Sequence, residues 1–249
     1  PIVPMLPTHP TADATEPRKL QALWVIAGTA LAYLLVGLAA LQLAIPPSYA
    51  SPLYPAAGVA LAAVLVFGRA AVPGVVLGAF GVNLSLSALR GNLELSALGV
   101  PALIALGSGL QAWAGAALVQ RFARHPQAID EPRDVAVLFG LGGLVACMTA
   151  ASIATACLVA SGTVPATRAP ITWLTWWAGD GFGVLIGAPI ALTLIGRPRA
   201  DWAARRFIVG LTLGLVTLVT ALAIGQVARW DDERLRNAFN RDANHAATV

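Results

Sequence analysis

Residues 21–45 read QALWVIAGTALAYLLVGLAALQLAI, an uncharged run of about 25 residues. A helix needs roughly 20 apolar residues to cross about 30 Å of hydrocarbon, so this run suffices to span a bilayer. It is longer than the core of a secretory signal, and no small-residue cleavage site stands out, so it reads as a retained span. Working outward, apolar runs punctuated by proline, glycine and charge place spans at 20–45, 55–68, 72–89, 97–121, 134–161, 170–195 and 206–228. The second is short. It reads as a tilted helix, a broken one, or half of a re-entrant pair with the third, and such a pair would drop out together. The expected fold class is all-α, a polytopic integral membrane helix bundle of about seven transmembrane helices.

Composition agrees. The chain is 57% hydrophobic and 11% charged, with mean hydropathy +0.74, where a soluble domain carries about 25% charged residues. Too few polar side chains exist to cover a water-facing surface, which excludes a cytosolic enzyme, a disulfide-stapled secreted module and a disordered scaffold. The net charge of +4 and pI near 9.7 come from arginines set between apolar runs, so basic loops flanking spans are expected rather than nucleic-acid binding. With the N-terminus placed in the cytoplasm, ten basic residues (Arg18, Lys19, Arg69, Arg121, Arg124, Arg133, Arg197, Arg199, Arg205, Arg206) fall inside and two, Arg90 and Arg168, outside. That bias predicts a cytoplasmic N-terminus and an external, periplasmic C-terminal end.

Four regions are expected. Residues 1–17, with Pro1, Pro4, Pro7, Pro10 and Pro17, read as a flexible cytoplasmic tail; the chain opens on Pro1 rather than Met, so a natural start upstream is expected. Residues 18–197 form the bundle, and 198–230 a basic loop with the final span. Residues 231–249 begin a truncated external helix: Trp230, Leu235, Ala238, Phe239 and Asp242 recur near helical spacing.

Asp180 is the one deep ionisable residue, within the run Trp173 to Gly183. It reads either as a polar recognition point facing a cavity, as a cap on a helix broken at Gly179-Asp180-Gly181, or as the partner of an arginine such as Arg69. Trp173, Trp176 and Trp177 fall near the outer end of their span; Trp173 suits interfacial anchoring. Trp176 and Trp177 point about 100° apart, so at most one faces lipid cleanly. Gly179, Gly183 and Gly187 recur every fourth residue, as do Gly74 with Gly78 and Gly210 with Gly214. Small residues so spaced let helix backbones pack closely. Asn83 and Gln111 are mid-span amides that either bond across helices or line a pocket. Cys147 and Cys157 lie about 15 Å apart on one helix, too far for a disulfide. His9, His125 and His245 all lie outside the spans, which excludes a bis-histidine haem within the bundle. Lys19, the only lysine, sits at the mouth of the first helix, which excludes a retinal-type Schiff base. No phosphate loop, nucleophile elbow or kinase signature is present. No catalytic residue, metal site or cofactor is expected.

Two stretches are familiar together. One is Pro55-Ala56-Ala57-Gly58-Val59-Ala60-Leu61-Ala62, followed by Gly68, Pro73-Gly74, Gly78-Ala79-Phe80 and Asn83. The other is Leu174-Thr175-Trp176-Trp177-Ala178-Gly179-Asp180, followed by Gly183 and Pro189. In this order they resemble the first class of MASE domains, the membrane-associated sensors of bacterial signalling proteins, over roughly residues 20–197. Tyr54 departs from the pattern, standing where Phe or Trp is expected before the proline. The resemblance implies a non-catalytic input module in the bacterial inner membrane, fused to a histidine kinase or to an enzyme making or degrading cyclic di-GMP beyond residue 249. It also implies a homodimer through that output domain. Residues 206–249 are similar to the entry of a CHASE-type extracytoplasmic sensor. The candidate ligand-binding or signalling residues are Asp180, Trp176, Trp177, Asn83 and Tyr54, and the ligand is a small apolar or amphipathic molecule or a membrane protein partner. A proton-coupled transporter and a structural subunit of a larger membrane assembly are the competing readings.

Overall fold

The structure, a computed structural model, describes residues 16–42, 51–89, 98–126 and 128–247. Eight α-helices occur among them: α1 (Glu16–Leu41), α2 (Pro55–Phe67), α3 (Val72–Leu89), α4 (Gly99–Phe122), α5 (Pro132–Val137), α6 (Ala146–Ala160), α7 (Ala169–Ile195) and α8 (Arg199–Ala247). No strand is found among the described residues. The tail expected at 1–17 lies outside them except for Glu16 and Pro17, which begin α1. The loop carrying Arg90, expected to be external, also lies outside them.

Among the described residues, six helical stretches are long and apolar enough to cross a membrane: Lys19–Leu41, Pro55–Leu89, Gly99–Phe122, Pro132–Ala160, Ala166–Ile195 and Arg199–Thr220. The second holds two passes. Tyr54, at the head of α2, and Val82, near the end of α3, both lie against Gly37 of α1. The 3₁₀ turn Gly68–Ala71 joins the far ends of α2 and α3, so the two helices run in opposite senses. Gly68 makes that reversal possible at φ 68°, in the left-handed region where a Cβ is disfavoured. Counting α2 and α3 separately turns six stretches into seven passes.

Pass two is unusual. A helix of 13 residues is only about 20 Å long, and it is preceded by a non-helical segment, 51–54, in which Ser51 and Leu53 are buried. Non-helical backbone is tolerated at membrane depth only where protein or a cavity surrounds it. Here the Tyr54 N–H donates to the Gly179 carbonyl of α7 at 3.0 Å, and the Ser51 hydroxyl to the Leu53 carbonyl at 2.8 Å.

Size sorts the side chains. Ala56, Ala60, Ala62, Ala79, Ala105, Ala112, Ala151 and Ala188 are buried, while Leu23, Trp24, Leu35, Leu77, Leu106 and Phe182 point outward. Hydrocarbon gives large apolar groups no reason to turn inward, so close backbone packing decides, and it favours small residues. α2 is the hub, buried on nearly every face. At Gly58 a Cβ would overlap the α7 backbone at Gly183 and Ala188. Gly74 and Gly78 seat α3 on α1, where a Cβ would stand 2.5 Å from the Ile26 carbonyl oxygen and 2.7 Å from that of Ala30, respectively.

Between α5 and α6, Leu138–Val145 forms a π-helical stretch whose three glycines accommodate the wider turn. At its lower end Asp134, fully buried, accepts the backbone N–H groups of Arg124 at 2.8 Å and His125 at 3.0 Å. The α4–α5 loop is thereby closed. Cys147 and Cys157 both lie on α6 and are free thiols.

α8 packs chiefly on α7. Its base is fixed by Trp202, buried against Gly196, and by Arg205, which donates to the carbonyls of Ala128 at 2.7 Å and Ile129 at 3.3 Å. The packing expected of Gly210 and Gly214 is not found: a Cβ at either would meet nothing within 4 Å, because α8 stands at the edge of the bundle with that face open. The helix runs through to Ala247, while the side chains of Trp230, Leu235, Ala238, Phe239 and Asp242 lie outside the described residues.

Candidate functional site

Asp180 is buried, with 4% of its surface exposed, in the interior of an unbroken α7. The helix does not part at Gly179-Asp180-Gly181, so Asp180 caps nothing. Nor does it pair with Arg69. Asp180 adjoins residues 51–54 at the head of α2, and Arg69 lies past its foot, about 20 Å away along a 13-residue helix.

The flanking glycines explain why polar groups collect here. At Gly179 a Cβ would overlap the Ser51 carbonyl, at Gly183 that of Tyr54, and at Gly187 that of Pro55. The small-residue face of α7 therefore admits the backbone of residues 51–54 beside Asp180 and the start of α2 next to it. That brings Ser51 and Tyr54 beside Asp180.

A cavity of about 30 Å³ lies at this junction. Its polar wall is Tyr33 from α1, Ser51 and Tyr54 from the non-helical segment, Asn83 from α3, Ser108 from α4, and Trp176 with Asp180 from α7. Leu41, Val82, Leu86 and Ile104 complete it. The rings of Tyr33 and Tyr54 meet edge to face, centroids 6.1 Å apart at 68°. The Ser108 hydroxyl donates to the Ile104 carbonyl at 3.2 Å. Asn83 donates through Nδ2 to the Ala79 carbonyl at 2.9 Å, which leaves its Oδ1 as an acceptor. Gln111 of α4 is buried outside this lining, and its Oε1 has no hydrogen-bond partner among the described residues. Asp180 and Asn83 offer acceptor oxygens to the cavity, and no Lys, Arg or His lines it.

Of the five residues singled out from sequence, Asp180, Trp176, Asn83 and Tyr54 line this one cavity and Trp177 does not. Trp177 turns toward the π-helical stretch, donates through Nε1 to the Leu144 carbonyl at 2.8 Å, and stacks on Trp173 with centroids 5.9 Å apart. Trp173 in turn donates to the Ser152 hydroxyl at 3.0 Å. The 100° divergence of adjacent helical residues separates the pair as geometry requires. Tyr33, Ser51 and Ser108 were missed. The signal for Tyr33 was present, since a phenol inside a span needs a hydrogen-bond partner.

Outside the bundle, His125, Asp130 and Asp134 bring donor atoms within 4.8 Å of one another. Both Asp134 oxygens already accept backbone N–H groups, and the His125 ring lies 3.3 Å from Asp130. This arrangement clasps the loop.

The family model described as MASE1 matches residues 23–229. Comparison with curated proteins gave no match, and comparison with solved structures gave none.

Proposed function

Because the chain belongs to the MASE1 family, membrane-associated sensor domains of signalling proteins, we propose that it is the non-catalytic input module of a bacterial signalling protein. In this reading, occupancy of the polar cluster around Asp180 sets how the helices pack. The observation that carries it is the convergence of four helices and a non-helical segment on one small polar cavity inside an otherwise apolar bundle. An intramembrane acid is by default a functional position.

The route outward supports the same reading. α7 carries Asp180 and is also the main support of α8. Between the two lies Pro189, inside the helix, which cannot donate to the Leu185 carbonyl and so softens α7 there. A shift at Asp180 can tilt the lower part of α7 and carry α8 with it. A ligand moves such a balance only by its difference in affinity for the two packings. The signal then passes along α8 to a CHASE-type extracytoplasmic region and to a dimeric output domain, a histidine kinase or a cyclic di-GMP enzyme. The N-terminus is cytoplasmic and the distal end of α8 periplasmic in the inner membrane, as the arginine distribution favours.

The test is output activity of the full-length signalling protein carrying Asp180→Asn, with Trp176→Ala beside it. Output locked in one state, at wild-type protein levels, is the expected result; normal regulation in both variants would remove the site. A carrier is the second reading, favoured by non-helical backbone beside a buried acid. Proteoliposome uptake abolished by Asp180→Asn would establish it instead.

A further inference from the structure

We propose that Asp180 and the acceptor oxygens around it hold a single alkali cation of about sodium size. This rests on the reading of the Asp180 cluster as the sensing site, and it names what that site senses.

Charge comes first. Asp180 is 4% exposed with no cationic side chain in the cavity wall, and an ionised carboxylate buried without a counter-charge costs several kcal/mol. One positive charge neutralises it, whereas a divalent ion would leave a buried net charge of its own. Donor chemistry comes second. The Ser108 and Ser51 hydroxyls and one Asn83 N–H are spent on backbone carbonyls. What remains on the cavity wall is the Asp180 carboxylate and Asn83 Oδ1, with the Tyr54 hydroxyl beside them. Hard oxygen ligands without thiolate or imidazole suit alkali and alkaline-earth ions rather than transition metals.

Size is third. About 30 Å³ is room for one water or one small ion. A bound ion would draw α3, α7 and segment 51–54 together, which makes occupancy and packing one event.

The experiment uses the full-length protein in lipid nanodiscs, titrated with sodium, lithium, potassium or choline chloride at constant ionic strength. Thermal midpoint and binding of radioactive sodium are read. A ligand held only by the folded state raises the midpoint with its concentration. The expected result is a saturable rise with sodium, absent with choline and weaker with potassium. Asp180→Asn should abolish it while keeping the choline midpoint near wild type. Asn83→Ala, which leaves the carboxylate in place, should weaken sodium binding about tenfold or more. A wild-type midpoint identical in sodium and choline overturns the proposal and leaves a water or a proton as the occupant. The sensing-site reading fails separately: sodium binding that survives while Asp180→Asn leaves signalling output untouched defeats the site assignment and keeps the ion.

Discussion

Gly183→Ala is the substitution that probes the packing of α7 most sharply. The new Cβ would stand 2.5 Å from the Tyr54 carbonyl carbon and 3.2 Å from the Pro55 nitrogen, where ordinary contact begins at 3.4 Å. Both obstacles are backbone, so no side chain can rotate away. Segment 51–55 must retreat by about 1 Å, which stretches the Tyr54 N–H to Gly179 carbonyl bond from 3.0 Å beyond useful length. Overpacking costs about 1–3 kcal/mol and the lost hydrogen bond about 1 kcal/mol, so a loss of about 2–4 kcal/mol is expected. At about 2–4 °C per kcal/mol, the midpoint should fall by roughly 5–15 °C in detergent or bicelles. Gly210→Ala is the matched control. Nothing lies within 4 Å of its Cβ, and alanine is the better helix former by about 1 kcal/mol, so stability should hold or rise. Equal midpoints for Gly183→Ala and wild type, or an equal fall in both variants, would refute the reasoning.

Trp177→Phe removes the indole N–H bonded to Leu144 and should cost about 1 kcal/mol by thermal unfolding, with regulation of the output domain intact. Asp134→Ala strips two backbone N–H groups of their acceptor in a buried position, and a loss of about 2–3 kcal/mol is expected. Limited proteolysis within 123–131 should quicken in step. Arg205→Ala frees the base of α8 from the α4–α5 loop at a cost of about 2 kcal/mol. Faster amide exchange in the first turns of α8 would report it, and unchanged exchange would speak against that clasp.

Much of the bundle was legible because membrane spans are read from uninterrupted apolar length. The runs at 72–89 and 170–195 fall within a residue of α3 and α7. The glycine stripe on α7 was legible as a close-packing face, but its partner was not. Residues 51–54 carry no helical period, and only burial against α7 shows that non-helical backbone fills the space. Asp180, Asn83 and Trp176 stood out as polar or aromatic groups among aliphatic ones. Ser51 and Ser108 did not, since serine in a span usually bonds its own helix carbonyl, as Ser108 does. The open face of α8 was misread for a related reason: Gly210 and Gly214 have the spacing of a packing motif, and spacing alone does not supply a neighbour.

The central claim is that α2 and α3 are two opposed passes, so that the described chain crosses the bilayer seven times. Fusing a compartment-sensitive reporter ahead of residue 16 in one derivative, behind residue 71 in a second and behind residue 247 in a third tests this directly. Cytoplasmic signals from the first two and a periplasmic signal from the third are predicted; a signal behind residue 71 that does not match the first compartment, or one behind residue 247 that does, would contradict it.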